Sequence, residues 1–336
     1  MYAIRLIPLL FLIILQTGCT NSAEKQGYHI NLVLNGEAPQ EVYLGYQLSD
    51  KTYIADTARN QQGEFEFSGN ETLDPGLYMM IIPPENSFVN LIVDENDQHF
   101  ELTAHTNHLL DSLSFEGTPA NTAFRDYNQM IENKNMEMSG LMALEEEAEN
   151  VEAERLRNRQ DQIKDEVFQT KQQLIQEYPD HFLSSFMAST LQPVIPEPEP
   201  GMSEAEAREF QFRYYKEHYF DHFDLSEPGL IRTAGYHQTI DGYLDRLVTP
   251  QKDSLLKEVN MLINAAAANP KTKQAMTVHL LNKYASDDSY EAESVYTHIA
   301  LTYYADTAFT DWVDEEQRVR ILENARRLDS ALVMYE

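Results

Sequence analysis

The chain has 336 residues, enough for about two domains of roughly 150 residues each, and its 42% hydrophobic content is ample for packed cores. Acidic residues outnumber basic ones 55 to 25, so the formal net charge of −30 repels nucleic-acid phosphates and anionic lipid headgroups. That excludes a nucleic-acid partner, and the single cysteine, Cys19, excludes an intramolecular disulfide, a CxxC redox pair and a thiolate metal site.

Residues 1–18 read as an export signal. Arg5 supplies the positive charge, Leu6 to Leu15 form a short apolar run, and Gln16, Thr17 and Gly18 close it. The run is too short to span a bilayer. A cut after small residues and immediately before cysteine is the lipoprotein pattern, although Gln16 stands where that pattern usually has leucine, with Leu15 just before it. Cys19 is therefore expected to be lipidated and to become the first residue of the mature chain. Several acyl chains, palmitate among them, would hold an acidic protein to a membrane more durably than one chain can. Residues 19–27 then form a polar tether. They lack the dense acidic run of a surface-export signal, so the expected location is the cell envelope, on the periplasmic face of the outer membrane.

From 28 to 118 the chain alternates with period two between turn residues, the pattern of short half-buried strands. Tyr28, Ile30, Leu32 and Leu34 share one face, as do Val42, Leu44, Tyr46 and Leu48, and Phe65 and Phe67 follow the Gly63 turn. About seven such strands predict an antiparallel β-sandwich. His105 and His108 fall near its end and are read as loop residues rather than ligands.

Past Thr118 and Pro119 the period changes to 3.6. The span 119–336 is expected to be an all-helical domain, giving an α+β chain. Asn121 to Tyr178 reads as one or two long amphipathic helices closed by Pro179, and 193–201 is a proline-rich, extended break. Ser203 and Glu206 form a capping box. Helices are predicted over 203–223, 228–247, 251–268, 270–285, 290–305 and 315–334.

The first of these helices carries the candidate metal ligands His218 and His222, four apart on one predicted face beside Asp221 and Asp224. Phe212, Tyr215, Tyr219 and Phe223 run as an aromatic stripe through the same segment, so packing explains it and no metal site is assigned. The sequence has no GxSxG, GxGxxG or GxxxxGKS/T motif, and no acid–base carboxylate pair can be picked from 55 candidates. No catalytic residue and no cofactor is expected.

The segments YHINLVLNG, VYLGY, IADTARNQQGEFEFSG and SFEGTPANTAFRDY resemble the N-terminal module of TlpA-like thiol:disulfide interchange lipoproteins of the Gram-negative envelope. FRYYKEHYFDHFDLSEPGLIRTAGYHQTIDGYLDRLV and VYTHIALTYYADTAFTDWVDEEQ are similar to that family's helical middle domain. The resemblance implies an envelope location and a protein partner in thiol:disulfide exchange. In that family a thioredoxin-like domain with two cysteines does the chemistry, and this chain stops at Glu336, about where such a domain would start. The expectation is an accessory, non-catalytic lipoprotein. Two other readings stand beside it: a module binding a glycan or peptide at the domain junction, or a truncated oxidoreductase.

Overall fold

The computed structural model of the chain describes residues 27–49 and 51–332. The expected export signal, Cys19 and all of the expected tether but Gly27 lie outside the described residues.

Eight strands run in order: β1 (Tyr28–Asn35), β2 (Glu41–Leu48), β3 (Lys51–Arg59), β4 (Glu64–Gly69), β5 (Gly76–Ile82), β6 (Ser87–Val93), β7 (His99–His105) and β8 (Ser114–Glu116). A single turn of helix, α1 (Leu109–Ser112), precedes the last strand. They form two four-stranded sheets, β4-β1-β7-β8 and β3-β2-β5-β6. Both enclose one core: Ile30, Leu32, Phe65, Phe67 and Leu102 from the first sheet meet Leu44, Met80 and Leu91 from the second, all fully buried. The alternation read from the sequence is thus the sandwich's inward face, except at the end of β2, where Leu48 packs against the helical core after a register shift at Leu44 and Gly45. One pairing departs from the antiparallel expectation, because β1 and β7 run parallel, with Ile30 beside Phe100 and Leu32 beside Leu102. Alternation fixes which face a residue occupies, not the direction of the neighbouring strand.

The second sheet buries both faces along β5 and β6. Leu91 and Val93 point into the sandwich, while Ile92 belongs to the helical core. The helical half comprises α2 (Pro119–Glu147), α3 (Val151–Glu177), α4 (Phe182–Ser189), α5 (Glu204–Glu217), a 3-10 turn (Leu230–Arg232), α6 (Gly235–Leu247), α7 (Lys252–Ala266), α8 (Pro270–Ala285), α9 (Tyr290–Ile299) with a π turn after it (Ala300–Tyr304), and α10 (Glu315–Leu332). Proline at the first helical position opens α2 and α8, where its missing N–H costs nothing, and the Thr118 and Asn269 side chains cap those ends. The capping box at α5 is formed: the Ser203 hydroxyl accepts from the Glu206 N–H, and Glu206 accepts from the Ser203 N–H at 2.8 Å. No helix among the described residues is long and apolar enough to cross a membrane.

Polar side chains tie the two halves together. The edge of β6 presents the N–H and C=O of Ile92, and the buried Asn121 side chain takes the place of a missing strand there. It accepts from Ile92 N at 2.7 Å and donates to Ile92 O at 2.8 Å. Nearby, buried Asp94 accepts from the Phe182 N–H at the start of α4, at 2.8 Å. Carboxylates favour helix N-termini, where backbone N–H groups lack partners.

Candidate functional site

A concavity with a volume of about 660 Å³ opens between the halves. Its sandwich wall is the β2–β3 turn, with Leu48 and Ser49, and Asp74 just before β5. Its helical wall is the 3-10 turn with Ile231 and Arg232, the start of α6, and one face of α8 from Lys271 to Lys283. Positions 271, 274, 275, 278, 279 and 282 recur at three and four, which turns one stripe of α8 toward the opening.

Asp74 is the hinge point of this wall. Its two carboxylate oxygens are shared between Arg232 Nη2 and Lys271 Nζ, so one sandwich residue holds two separate elements of the helical half. Burial pushes the Asp74 carboxyl up, but Lys271 and Arg232 together hold it below the usual carboxylate range. The guanidinium lies 5.2 Å from the Tyr46 ring centroid, in cation–π range. Gly76 makes room for it: a Cβ there would stand 2.8 Å from the Arg232 Cβ, closer than two carbons can pack.

Across the opening, His279 Nε2 lies 2.9 Å from Asp241, and Lys283 reaches Asp241 at 3.3 Å and Asp245 at 2.8 Å. Burial raises the Asp241 carboxyl, and the His279 contact and Lys283 bring it below its ordinary value. The rings of His237 and His279 stack with centroids 4.2 Å apart. The lining offers cations, the Asp74 carboxylate, histidines, the Ser49 hydroxyl, neutral amides and apolar surface.

The sequence-derived candidates lie elsewhere. The expected helix over 203–223 ends at Glu217, so His218 and His222 do not share a helical face. His218 caps that end, stacks on Tyr214 at 4.1 Å and pairs with Asp221 at 2.6 Å. The helix stops because the chain turns to bring Phe220 against Tyr243 (4.9 Å) and Phe223 against Tyr236 (5.8 Å). No group of three or more His, Cys, Asp or Glu residues among the described residues could hold a metal ion. His105 ends β7 and His108 precedes α1, with ring centroids 6.1 Å apart.

The cleft residues themselves were not singled out by sequence reasoning. Arg232 and Lys271 are 158 and 197 positions from Asp74, and no spacing rule links such residues. Aromatic residues grouped at the junction would favour a binding module, but the lining holds histidines in their place, and Tyr46 sits behind Arg232.

These features define a class: a two-domain module, an antiparallel-rich sandwich joined to a helical domain around a cleft of mixed polar and apolar lining. The family model described as Domain of unknown function (DUF5106) matches residues 158–329, just over half of the 336 residues, and the chain belongs to that family. A second model, Domain of unknown function (DUF4369), matches residues 28–124, which hold the sandwich and the start of α2. No curated protein and no solved structure matches the chain.

Proposed function

We propose that the chain is a lipid-anchored envelope lipoprotein that recognises a ligand in the cleft between its sandwich and its helical domain, without catalysing a reaction itself. The observation that carries this reading is the 660 Å³ opening walled by both domains, the size and position typical of ligand sites, which run from about 300 to 1,000 Å³. The anchor rests on the signal-like residues 1–18 and the placement of the one cysteine. The resemblance to TlpA-like lipoproteins supports an accessory role, in which the thiol:disulfide chemistry belongs to a partner.

One experiment tests both parts. The full chain and its Ala275→Trp variant, which fills the cleft from α8, are isolated from bacterial membranes in mild detergent and weighed by native mass spectrometry. The expected wild-type mass is that of a chain starting at Cys19 with acyl groups, plus a non-covalent small molecule that the variant lacks. A chain without acyl mass contradicts the anchor. Equal adducts on both proteins, or none on either, contradict the cleft.

A further inference from the structure

We infer that the cleft takes a ligand carrying a carboxylate on a short apolar body, the carboxylate seated at Lys271; this deepens the cleft reading and rests on it.

The chain as a whole carries a formal charge of −30, yet the lining presents three permanent cations, Arg232, Lys271 and Lys283, against one carboxylate, Asp74. The balance is uneven from wall to wall. Lys283 is more than matched, since two carboxylates, Asp241 and Asp245, approach its one ammonium. Among the described residues, two cations share the single carboxylate of Asp74, a local excess of one positive charge at that end of the cleft. A concave, partly apolar site strengthens such a charge relative to open water.

Lys271 is the group able to use that charge. Arg232 is nearly enclosed, its side chain 11% exposed between Asp74, Gly76 and Tyr46. Lys271 is 50% exposed at the cleft mouth, and one ammonium with three donors gives only part of its capacity to Asp74. A monoanion fits a single excess charge, whereas a phosphate dianion would set a second negative charge against Asp74. Leu48, Ile231, Ala275 and Val278 supply the apolar surface beyond. Such a ligand would touch the sandwich and α8 at once.

The test is calorimetric titration of the membrane-extracted chain with two matched pairs: octanoate and octanamide, and N-acetyl-Leu-Leu with a free or an amidated C-terminus. At least one acid is expected to bind, with its amide at least tenfold weaker. Lys271→Gln, on a half-exposed side chain, should weaken the acid about tenfold while leaving the melting temperature within a few degrees. Binding of octanoate but not the peptide acid identifies a simple organic acid, and the reverse a peptide C-terminus. Equal affinity for acid and amide, or no binding by any of the four, overturns the carboxylate assignment. If the equal binding vanishes in Ala275→Trp, the cleft reading survives that failure; if it persists in Ala275→Trp, the cleft reading falls too.

Discussion

Asn121→Leu is expected to lower the unfolding free energy by about 2–6 kcal/mol, because two buried backbone groups each lose their partner at about 1–3 kcal/mol apiece. Leucine keeps the branching of asparagine but is bulkier, so crowding in this fully buried site adds to the loss. Asn121 is fully buried, and its amide closes the otherwise open edge of β6 by satisfying both Ile92 N–H and Ile92 C=O. The same amide donates to the Thr118 hydroxyl at 3.0 Å, which fixes the cap of α2. Its loss therefore loosens the sandwich, the helix start and the junction between them together. Urea unfolding measures the cost, with exposed Asn128→Ala on the same helix as a control expected to fall within about 0.5 kcal/mol of wild type. A loss no larger than the control's would show that solvent reaches Ile92 and that the edge needs no cover.

Arg318→Met is the second large effect, expected at several kcal/mol, because buried neutral acceptors lose a charged donor at about 1–3 kcal/mol apiece. Arg318 lies in α10 with its side chain 8% exposed. It donates to the carbonyls of Tyr304 (3.2 Å), Thr310 (2.9 Å) and Val313 (3.0 Å), and to the Thr310 hydroxyl at 2.7 Å. These acceptors belong to the end of the π turn and to the irregular stretch before α10, where carbonyls have no helical donor. One guanidinium thus organises a segment with little regular structure of its own. Arg318→Lys should recover less than half of the loss, since one ammonium cannot reproduce a planar fork with donors on two nitrogens. Full recovery by lysine would mean that charge alone holds the segment.

How far the sequence reveals this molecule depends on the range of the interaction. The inward residues of β1, β4 and most of β2 follow from alternation alone, and the start of α5 follows from the capping box of Ser203 and Glu206, chemistry confined to four residues. Helix α4 is not legible in the sequence because eight residues are little more than two turns, too few to establish a period. The end of α5 at Glu217 escaped for the opposite reason. The stripe Phe212, Tyr215, Tyr219 and Phe223 keeps helical spacing, although Phe212 is 51% exposed and Phe223 is buried only because the chain turns. Tertiary packing against Tyr236 and Tyr243 decided that stop, and neither ring is visible from inside the segment. The candidate site lies furthest from local rules. Its aspartate, arginine and lysine look like three more surface charges until the sandwich is set against the helices.

The account's central claim is that ligand recognition occurs at the domain junction, and hydrogen–deuterium exchange of the membrane-extracted chain tests it most directly. Adding the small-molecule fraction of a bacterial envelope extract should slow exchange in peptides spanning 46–49, 74–78, 230–237 and 271–283, the walls of the cleft. Unchanged exchange in those peptides, or slowing confined to the α2–α3 hairpin, would contradict it.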